Sequence, residues 1–310
     1  SELSTSTAVL RGDRQQPLKQ VQEAGLDTSY AYQWSNNRLE LFTLLVPDFY
    51  GGPPAREYDE DHAIYEQLGP VANQVVQQTG GMWRSNFGAQ GNQAGPFYLG
   101  AAVIFLFIVG LILVRSGSKY GLLYAVLLGL MLSLGRNSYS LLESGVILIL
   151  PLVFLLTYKR LEDKLRPPVY GLVLLALGIL LLGIIDASPA NSYKISDLFF
   201  YNFPLYNRFR VPGSVLVIVA MALPWLAFMG AKELFSSEHT QKQKLLALYI
   251  AAGLTGGLSL IIAIAPGLFH PSFLLPQETA QMGQNPQLGQ YFSALAAERE
   301  SLVQTSALRS

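Results

Sequence analysis

Residues 245–266, LLALYIAAGLTGGLSLIIAIAP, form a stretch of 22 residues without a charged side chain. About 20 apolar residues in a helix cross the hydrocarbon core of a bilayer. Backbone polar groups in lipid must pair within their own segment, and a helix meets that requirement. The stretch therefore predicts a membrane-spanning helix. Inside it, GLTGG indicates close helix packing through small residues.

Five further apolar stretches precede this one and predict additional spans. Their boundaries are 97–114, 120–134, about 140–158, 169–186 and 214–230. The second is short enough to be a half-span, the third contains Pro151, and the last contains Pro224. We therefore expect an all-α integral membrane protein with about six transmembrane helices, whose bundle covers 97–266.

The composition supports a membrane protein and excludes several other classes. Of the 310 residues, 51% are hydrophobic and 14% are charged, whereas soluble domains carry about 25% charged residues. The formal net charge of +0 predicts no nucleic-acid partner, because that binding needs a basic surface. Without cysteine the chain has no disulfide and no thiolate metal site. The three histidines lack metal-ligand spacing, so the sequence indicates no metal.

The distribution of lysine and arginine predicts the orientation of the bundle. Loops with an excess of these residues face the cytoplasm. The richer set of loops contains Arg115, Lys119, Lys159, Arg160, Lys164, Arg166, Lys232, Lys242 and Lys244. The opposite loops carry fewer basic residues, so both termini of the chain are expected outside.

Residues 1–96 are then an outer region of loops and short helices, and 267–310 form an outer C-terminal tail. A short apolar helix is predicted at 37–46, which either lies along the membrane surface or packs on the bundle. A second helix is expected over 60–78, interrupted near Gly69-Pro70.

The first residues, SELSTSTAVL, lack the charged and apolar regions of an export signal. An outer segment of about 96 residues needs such a signal. We therefore expect either a cleaved signal peptide or a further membrane region upstream of residue 1.

The connection before the span at 214–230 contains YNRFR, residues 206–210. Arg208 and Arg210 are candidate ligands for a phosphate or pyrophosphate group, because guanidinium groups donate bidentate hydrogen bonds. Tyr206 and Asn207 lie beside them. The alternative is an aromatic belt with arginines that bond lipid phosphates non-specifically. Arg136, predicted at the same face, either joins this cluster or extends to the headgroups alone.

The outer region also supplies candidate acids and aromatic residues. Asp27 and Asp48 are candidate general bases toward an acceptor hydroxyl. Asp48 precedes Gly51-Gly52, so it is alternatively a turn residue. The aromatic and amide side chains that could line a sugar or acceptor groove are Tyr30, Gln33 and Trp34.

Five segments resemble the large YfhO-type membrane proteins of bacteria, especially those of Bacteroidota. They are LDTSYAYQWS (26–35), LLVPDFYGG (44–52), GPFYLG (95–100), LSLGRN (132–137) and FPLYNRFRVPGSVLV (203–217). That family is similar to the GT-C glycosyltransferases, multispan enzymes that transfer a sugar from a polyprenyl-phosphate carrier outside the membrane. The resemblance implies a place in the bacterial inner membrane and a role in glycosylating the cell envelope.

Two features depart from the family pattern. GT-C enzymes place a catalytic acid in the first outer loop, and nothing here matches that segment, so the acid is expected outside this chain. In the family, GRN and YNRFR share one outer loop, whereas the spans at 140–158 and 169–186 separate them here.

The leading hypothesis is a glycosyltransferase-like protein that takes its sugar from a polyprenyl-phosphate-linked donor. The expected phosphate ligands are Arg208, Arg210 and Arg136. The expected sugar or acceptor groove contains Tyr30, Gln33, Trp34, Tyr206 and Asn207. The competing hypothesis is a non-catalytic scaffold or lipid-binding subunit that associates with other membrane subunits. A transporter ranks third, because no paired charges fall within the spans.

Overall fold

The computed structural model describes residues 25–59, 62–69, 72–88, 97–149, 192–284 and 289–310. These residues are mostly helical, as predicted. Strand is limited there to a two-residue antiparallel pair, β1 (Arg56–Glu57) with β2 (Met82–Trp83). The predicted span at 169–186 lies outside the described residues. Of the predicted span at 140–158, residues 141–149 are described and helical.

The helices have the following bounds. The α-helices are α1 (Thr28–Ala31), α2 (Ala63–Leu68), α3 (Ala72–Thr79), α4 (Ala101–Leu113), α5 (Ser118–Ser133), α6 (Ile195–Asn202), α7 (Leu216–Phe235), α8 (Gln241–Ile264), α9 (Pro276–Gln284) and α10 (Gly289–Arg309). Short 3-10 helices cover Leu39–Leu44, Gly135–Asn137, Tyr206–Arg208, Pro212–Val215 and Pro266–Leu268. The break between α2 and α3 at Gly69 was expected from the sequence.

Two helical segments are long and apolar enough to cross a membrane: Pro212–Phe235, which includes α7, and α8. With 24 residues, α8 is ~36 Å long, which exceeds the roughly 30 Å of a hydrocarbon core. Helices α4 and α5 are apolar but shorter, with 13 and 16 residues. Helix α4 measures ~20 Å and is shorter than the predicted span at 97–114, whereas α5 measures ~24 Å and is about as long as the predicted span at 120–134.

Helix α8 begins and ends beside residues that are typical of helix ends in a sequence. The Thr240 hydroxyl accepts a hydrogen bond from the Gln243 amide, and the Gln243 side chain accepts one from the Thr240 amide. This reciprocal pair satisfies two of the N–H groups that a helix start leaves unpaired. The helix ends before Pro266, which cannot donate a further backbone hydrogen bond.

The chain divides into two compact units. Unit 1 consists of Ser1–Arg38 and Leu123–Val219, and unit 2 of Leu39–Leu122 and Ala220–Ser310. Helices α5 and α7 each contribute residues to both units. In unit 2, α8 packs against α4 and α10, and α10 packs against α2.

Two helices of unit 2, α4 and α7, meet at a pair of glycines. A Cβ atom on Gly230 would lie 2.5 Å from the Leu106 carbonyl oxygen and 2.7 Å from the Gly110 Cα atom. Small residues therefore bring these two backbones together. The same is not seen for GLTGG among the described residues: around Gly253, Gly256 and Gly257 no described atom lies within 4 Å of an added Cβ.

The apolar segment predicted as a helix at 37–46 contains the 3-10 turn Leu39–Leu44. Its Leu44, Leu45 and Val46 side chains are buried, and the last two belong to the core of unit 2. Of the two predicted positions, packing against the protein is therefore the one observed.

Arg299 of α10 is fully buried, with 0% of its side chain exposed. Its guanidinium forms a fork with both carboxylate oxygens of Glu278, at 2.6 and 3.0 Å. The remaining N–H groups donate to the carbonyls of Ser85, Arg84 and Phe273. All five donors of the side chain are thus used, which is the condition for burying a charge at moderate cost. The sequence alone placed this residue in an outer tail.

His270 lies in an aromatic cluster of unit 2. Its ring centroid is 4.5 Å from that of Phe49 and 4.7 Å from that of Tyr50. Phe87 and Phe273 complete the cluster. Burial lowers the pKa of His270 to about 4, and a hydrogen bond with the Phe49 backbone opposes this only in part. The ring is therefore neutral in the folded protein at ordinary pH.

This cluster predicts a loss of stability in mild acid. Between pH 6.5 and about 4 the unfolded chain binds a proton at His270 that the folded chain does not, so unfolding is favoured as the pH falls. The resulting loss of folding free energy reaches about 3 kcal/mol at pH 4 and below. Thermal unfolding in detergent across this range should show a shallower pH slope for His270→Phe than for the wild type. Equal slopes would contradict the prediction.

Candidate functional site

Three of the motif segments come together in unit 1, although more than 180 residues separate the first from the last. The Ser35 hydroxyl accepts a hydrogen bond from the Arg136 amide at 3.0 Å. The Asn36 carbonyl accepts one from the Asn137 side chain at 2.9 Å. The Leu26 amide donates to the Asn207 carbonyl at 2.8 Å. The segment LDTSYAYQWS (26–35), GRN (135–137) and YNRFR (206–210) therefore form one local structure.

Gly135 permits the closest of these approaches. Its φ of +48° is one that side-chain-bearing residues rarely adopt, and an added Cβ would lie 2.2 Å from the Ser35 hydroxyl oxygen. A larger residue would push GRN away from the segment at 32–36.

Arg136 is fixed by its neighbours and still has donors to spare. Its Nε and Nη2 atoms donate to the Tyr32 carbonyl at 3.0 and 2.9 Å. The Lys194 ammonium donates to the Arg136 carbonyl. Three of the five guanidinium N–H groups remain available. Arg136 is exposed, but these hydrogen bonds hold its guanidinium group in a defined position.

Asp27 has a structural role as the N-cap of α1. Its carboxylate accepts hydrogen bonds from the Ser29 amide, at 2.8 Å, and from the Ser29 hydroxyl. These bonds lower the pKa of Asp27, which makes it a weaker proton acceptor. This arrangement supports helix capping more directly than general-base catalysis.

Asp48, the other candidate base, belongs to unit 2. Its carboxylate forms a 2.5 Å ion pair with Arg56. Its carbonyl accepts a hydrogen bond from the Gly51 amide, so the residue begins a turn. The turn that the sequence offered as the alternative is present, and the carboxylate is already paired.

The YNRFR segment is held between two strained residues. Leu205 has φ +65° and Val211 has φ +72°, and these are the non-glycine residues with positive φ in the described part of the chain. Such a value is uncommon for any side chain and a true outlier for a β-branched one. Strained backbone of this kind concentrates at ligand sites and switch regions.

Both arginines of this segment are exposed. Arg210 donates to the Tyr30 hydroxyl at 2.8 Å and lies over the Tyr30 ring. The Arg208 side chain makes no hydrogen bond or ion pair with any residue that the structure describes. The predicted grouping of Arg210 with Tyr30 is therefore a direct contact.

An apolar groove of about 650 Å³ lies beside this segment. Helix α5 contributes one wall and α6 another, and the third is the strained segment with the start of α7. The aromatic residues among its walls are Tyr32, Phe199, Phe200, Phe203, Tyr206 and Phe209. Because almost all of the lining is hydrocarbon, the groove suits an apolar chain rather than a polar molecule.

A polar pocket of about 520 Å³ lies elsewhere in unit 1. Arg136 and Lys194 supply positive charge, and Asp197 supplies one carboxylate, which accepts a hydrogen bond from the Lys194 amide at 3.0 Å. The hydroxyl-bearing residues that line it are Thr28, Ser29, Tyr32, Ser192, Tyr193 and Tyr201. Neither Arg208 nor Arg210 is part of its wall.

Tyr32 is common to the groove and the pocket. Only 6% of the residue is exposed, and its hydroxyl makes no hydrogen bond within the described ranges. Burial, and next the charge of Asp197 nearby, raise the pKa of Tyr32 well above its usual range. The phenol therefore stays protonated and remains a donor.

Several predicted groove residues have other surroundings. Tyr206 lines the apolar groove, and burial raises its pKa to about 12. Asn207 packs against Gly25, and Gln33 is exposed. Trp34 is half-buried and lines neither cavity. In the described ranges no three His, Asp or Glu side chains come together as a metal site.

Sequence reasoning missed Lys194 and Asp197. Both lie in the connection before α7 that contains YNRFR: Lys194 directly follows the segment NSY (191–193), and Asp197 comes three residues later. That segment repeats Asn137-Ser138-Tyr139, and the residues next to the two copies, Ser140 and Lys194, form an antiparallel bridge. The short repeat was the signal available.

A scan against protein-family models, a search of curated proteins and a search of solved structures each find no match to this chain. The resemblance to YfhO-type proteins stays a prediction from its motifs. The geometry of unit 1 therefore supplies the main argument about function.

Proposed function

We propose that this chain is part of a multispan, GT-C-like membrane protein that binds a polyprenyl-phosphate-linked sugar at the outer face of the bacterial inner membrane. The observation that carries the proposal is Tyr32, which separates an apolar groove from a basic, hydroxyl-rich pocket. An amphipathic ligand with a hydrocarbon tail and an anionic head matches this pair of cavities.

The membrane location is supported by the exposure of the apolar helices. Only 39% of the apolar window in Pro212–Phe235 and 33% of that in α8 are buried within the protein. On α7, Met221, Trp225 and Phe228 are 68%, 65% and 83% exposed. Their spacing of four and three residues places them on one face. A core helix of a soluble protein would bury such a face within the protein, so its exposure here supports a lipid environment.

The remaining topology follows from the predicted spans and their loops. Six spans, with the basic loops inside, leave both termini and the connection at 192–214 outside. Membrane lipids and the lipid-linked sugar are then the ligands of unit 1. Further membrane subunits are expected partners, since the acid of the family's first outer loop has no counterpart here.

The ligand would bind with its tail in the groove and its phosphate near the basic side chains. Arg136, Arg208 and Arg210 are among the positively charged side chains of unit 1, and charge-assisted hydrogen bonds to phosphate are stronger than neutral ones. In the transfer step an acceptor hydroxyl would attack the anomeric carbon of the sugar. The bond from that carbon to the phosphate oxygen breaks, and the lipid phosphate leaves with the electron pair. A base takes the hydroxyl proton.

A non-catalytic lipid-binding subunit is the second candidate. It is favoured by the engagement of both candidate bases, Asp27 as a helix cap and Asp48 in an ion pair. A sugar-transfer assay with a lipid-linked donor separates the two candidates, because only the enzyme turns the donor over.

We expect Leu128→Trp to remove bound lipid from the purified protein. Leu128 lines the groove, and the added volume would occupy the space of the hydrocarbon chain. Leu127→Trp, on the same helix but outside the groove, is the matched control. Native mass spectrometry of the detergent-purified protein should find a prenyl phosphate on the wild type and on Leu127→Trp only. Equal lipid on all three proteins would refute the groove as the binding site.

A further inference from the structure

We propose that the polar pocket is the phosphate site of unit 1: Arg136, Lys194 and the Tyr32 hydroxyl bind the phosphate of a prenyl-phosphate lipid whose hydrocarbon chain lies in the apolar groove. This assignment rests on the proposed function and replaces Arg208 and Arg210 as the direct ligands. It adds Lys194, which lies outside the motif segments, and Tyr32, which lies within the segment at 26–35 but was not among the expected ligands.

The first argument is the preorganisation of the two cations. Two hydrogen bonds to the Tyr32 carbonyl fix the Arg136 guanidinium, and three N–H groups remain for a ligand. The Lys194 ammonium donates to the Arg136 carbonyl and keeps two further N–H groups. A phosphate oxygen bound here would meet donors that are already in position.

The second argument is the unsatisfied hydroxyl of Tyr32. A buried polar group without a partner costs about 1–3 kcal/mol, and a ligand that accepts its hydrogen bond recovers that cost. Ser192, in the wall of the same pocket, also has a buried hydroxyl oxygen without a partner among the described residues. The Asp197 carboxylate lies near the Tyr32 hydroxyl, but neither hydroxyl has a partner at hydrogen-bond distance among the described residues, so two available donors beside two cations favour an anionic oxygen ligand.

The third argument is the weakness of the alternative. Arg136, Arg208 and Arg210 are all exposed, but of these three only Arg136 lines the polar pocket. The polar pocket carries two cations against the single carboxylate of Asp197, so its net charge also favours an anion. Because Tyr32 lines both cavities, it would contact both the phosphate head and the hydrocarbon tail of the bound ligand.

The experiment measures the binding of farnesyl phosphate, farnesol and inorganic phosphate to the full chain in detergent. We expect Tyr32→Phe and Lys194→Met each to weaken the binding of farnesyl phosphate about tenfold, since each removes one hydrogen bond to a charged group. Farnesol binding should not change. The matched controls are Tyr249→Phe and Lys242→Met, two exposed positions on α8. The Tyr32 hydroxyl makes no hydrogen bond with the residues that the structure describes, so we expect Tyr32→Phe to fold like the wild type.

Binding of farnesyl phosphate within twofold of wild type in both pocket variants would overturn the proposal, and so would a larger loss in an Arg208→Ala/Arg210→Ala double variant. If inorganic phosphate binds as tightly as farnesyl phosphate and is lost in the same variants, the pocket is a site for free phosphate and the lipid assignment fails. Leu128→Trp separates the two proposals. If Leu128→Trp has no effect and the pocket variants weaken binding, the placement of the hydrocarbon chain in the groove is overturned and the assignment of the pocket as the phosphate site is supported.

Discussion

Arg299→Met should cost unit 2 about 3–5 kcal/mol of folding free energy, which is the usual penalty for removing one partner of a buried ion pair. The substitution leaves the Glu278 carboxylate buried without a counter-charge. It also removes the donor from three backbone carbonyls, those of Arg84, Ser85 and Phe273. Total stabilities are typically 5–15 kcal/mol, so we expect a large fall in the unfolding temperature in detergent.

Arg309→Met on the same helix is the matched control, because Arg309 is exposed. It should change the unfolding temperature by little. The double variant Arg299→Met/Glu278→Met should lose less than the sum of the single variants, because it leaves no isolated charge. If Arg299→Met unfolds at the same temperature as Arg309→Met, the buried ion pair is not important to the fold.

The second large effect is expected from Gly230→Ala. A single methyl group at Gly230 would overlap the backbone of α4 at Leu106 and Gly110. Backbone atoms cannot turn away as a flexible side chain can, so α4 and α7 must separate. Overpacking of this kind costs about 1–3 kcal/mol or more. Thermal unfolding in detergent measures the loss.

The control for this substitution is Gly253→Ala in α8. An alanine Cβ there meets no described atom within 4 Å, and alanine favours a helix over glycine by about 1 kcal/mol. Gly253→Ala should therefore be neutral or stabilising while Gly230→Ala destabilises. The same sign of change in both variants would mean that the α4–α7 contact is not as close as described.

The long helices could be predicted from the sequence because their signal is local. The runs that form α7 and α8 are long, apolar and free of charges in their centres, and the break at Gly69 follows from backbone preference alone. The ends were less certain: α4 begins at Ala101, several residues later than predicted, because Gly100 adopts a φ of +102°.

The tertiary contacts could not be predicted in the same way. Arg299 pairs with carbonyls more than 200 residues away, and no periodic pattern marks it as buried. The motif segments were identified, yet nothing local indicated that 26–36, GRN and YNRFR would meet. Lys194 and Asp197 acquire their surroundings only when residues 192–197 reach the pocket. The sequence singled out this connection through Arg208 and Arg210 and did not indicate Lys194 and Asp197.

The positive φ values at Leu205 and Val211 have a thermodynamic consequence. Each of these residues costs about 1–2 kcal/mol relative to a relaxed backbone, and that energy is released when the turn opens. The segment 206–210 between them therefore changes its conformation at a lower free-energy cost than an unstrained segment with equal hydrogen bonding. Residues of this segment also line one side of the groove, so its opening would widen access for a hydrocarbon chain if the groove binds one as proposed.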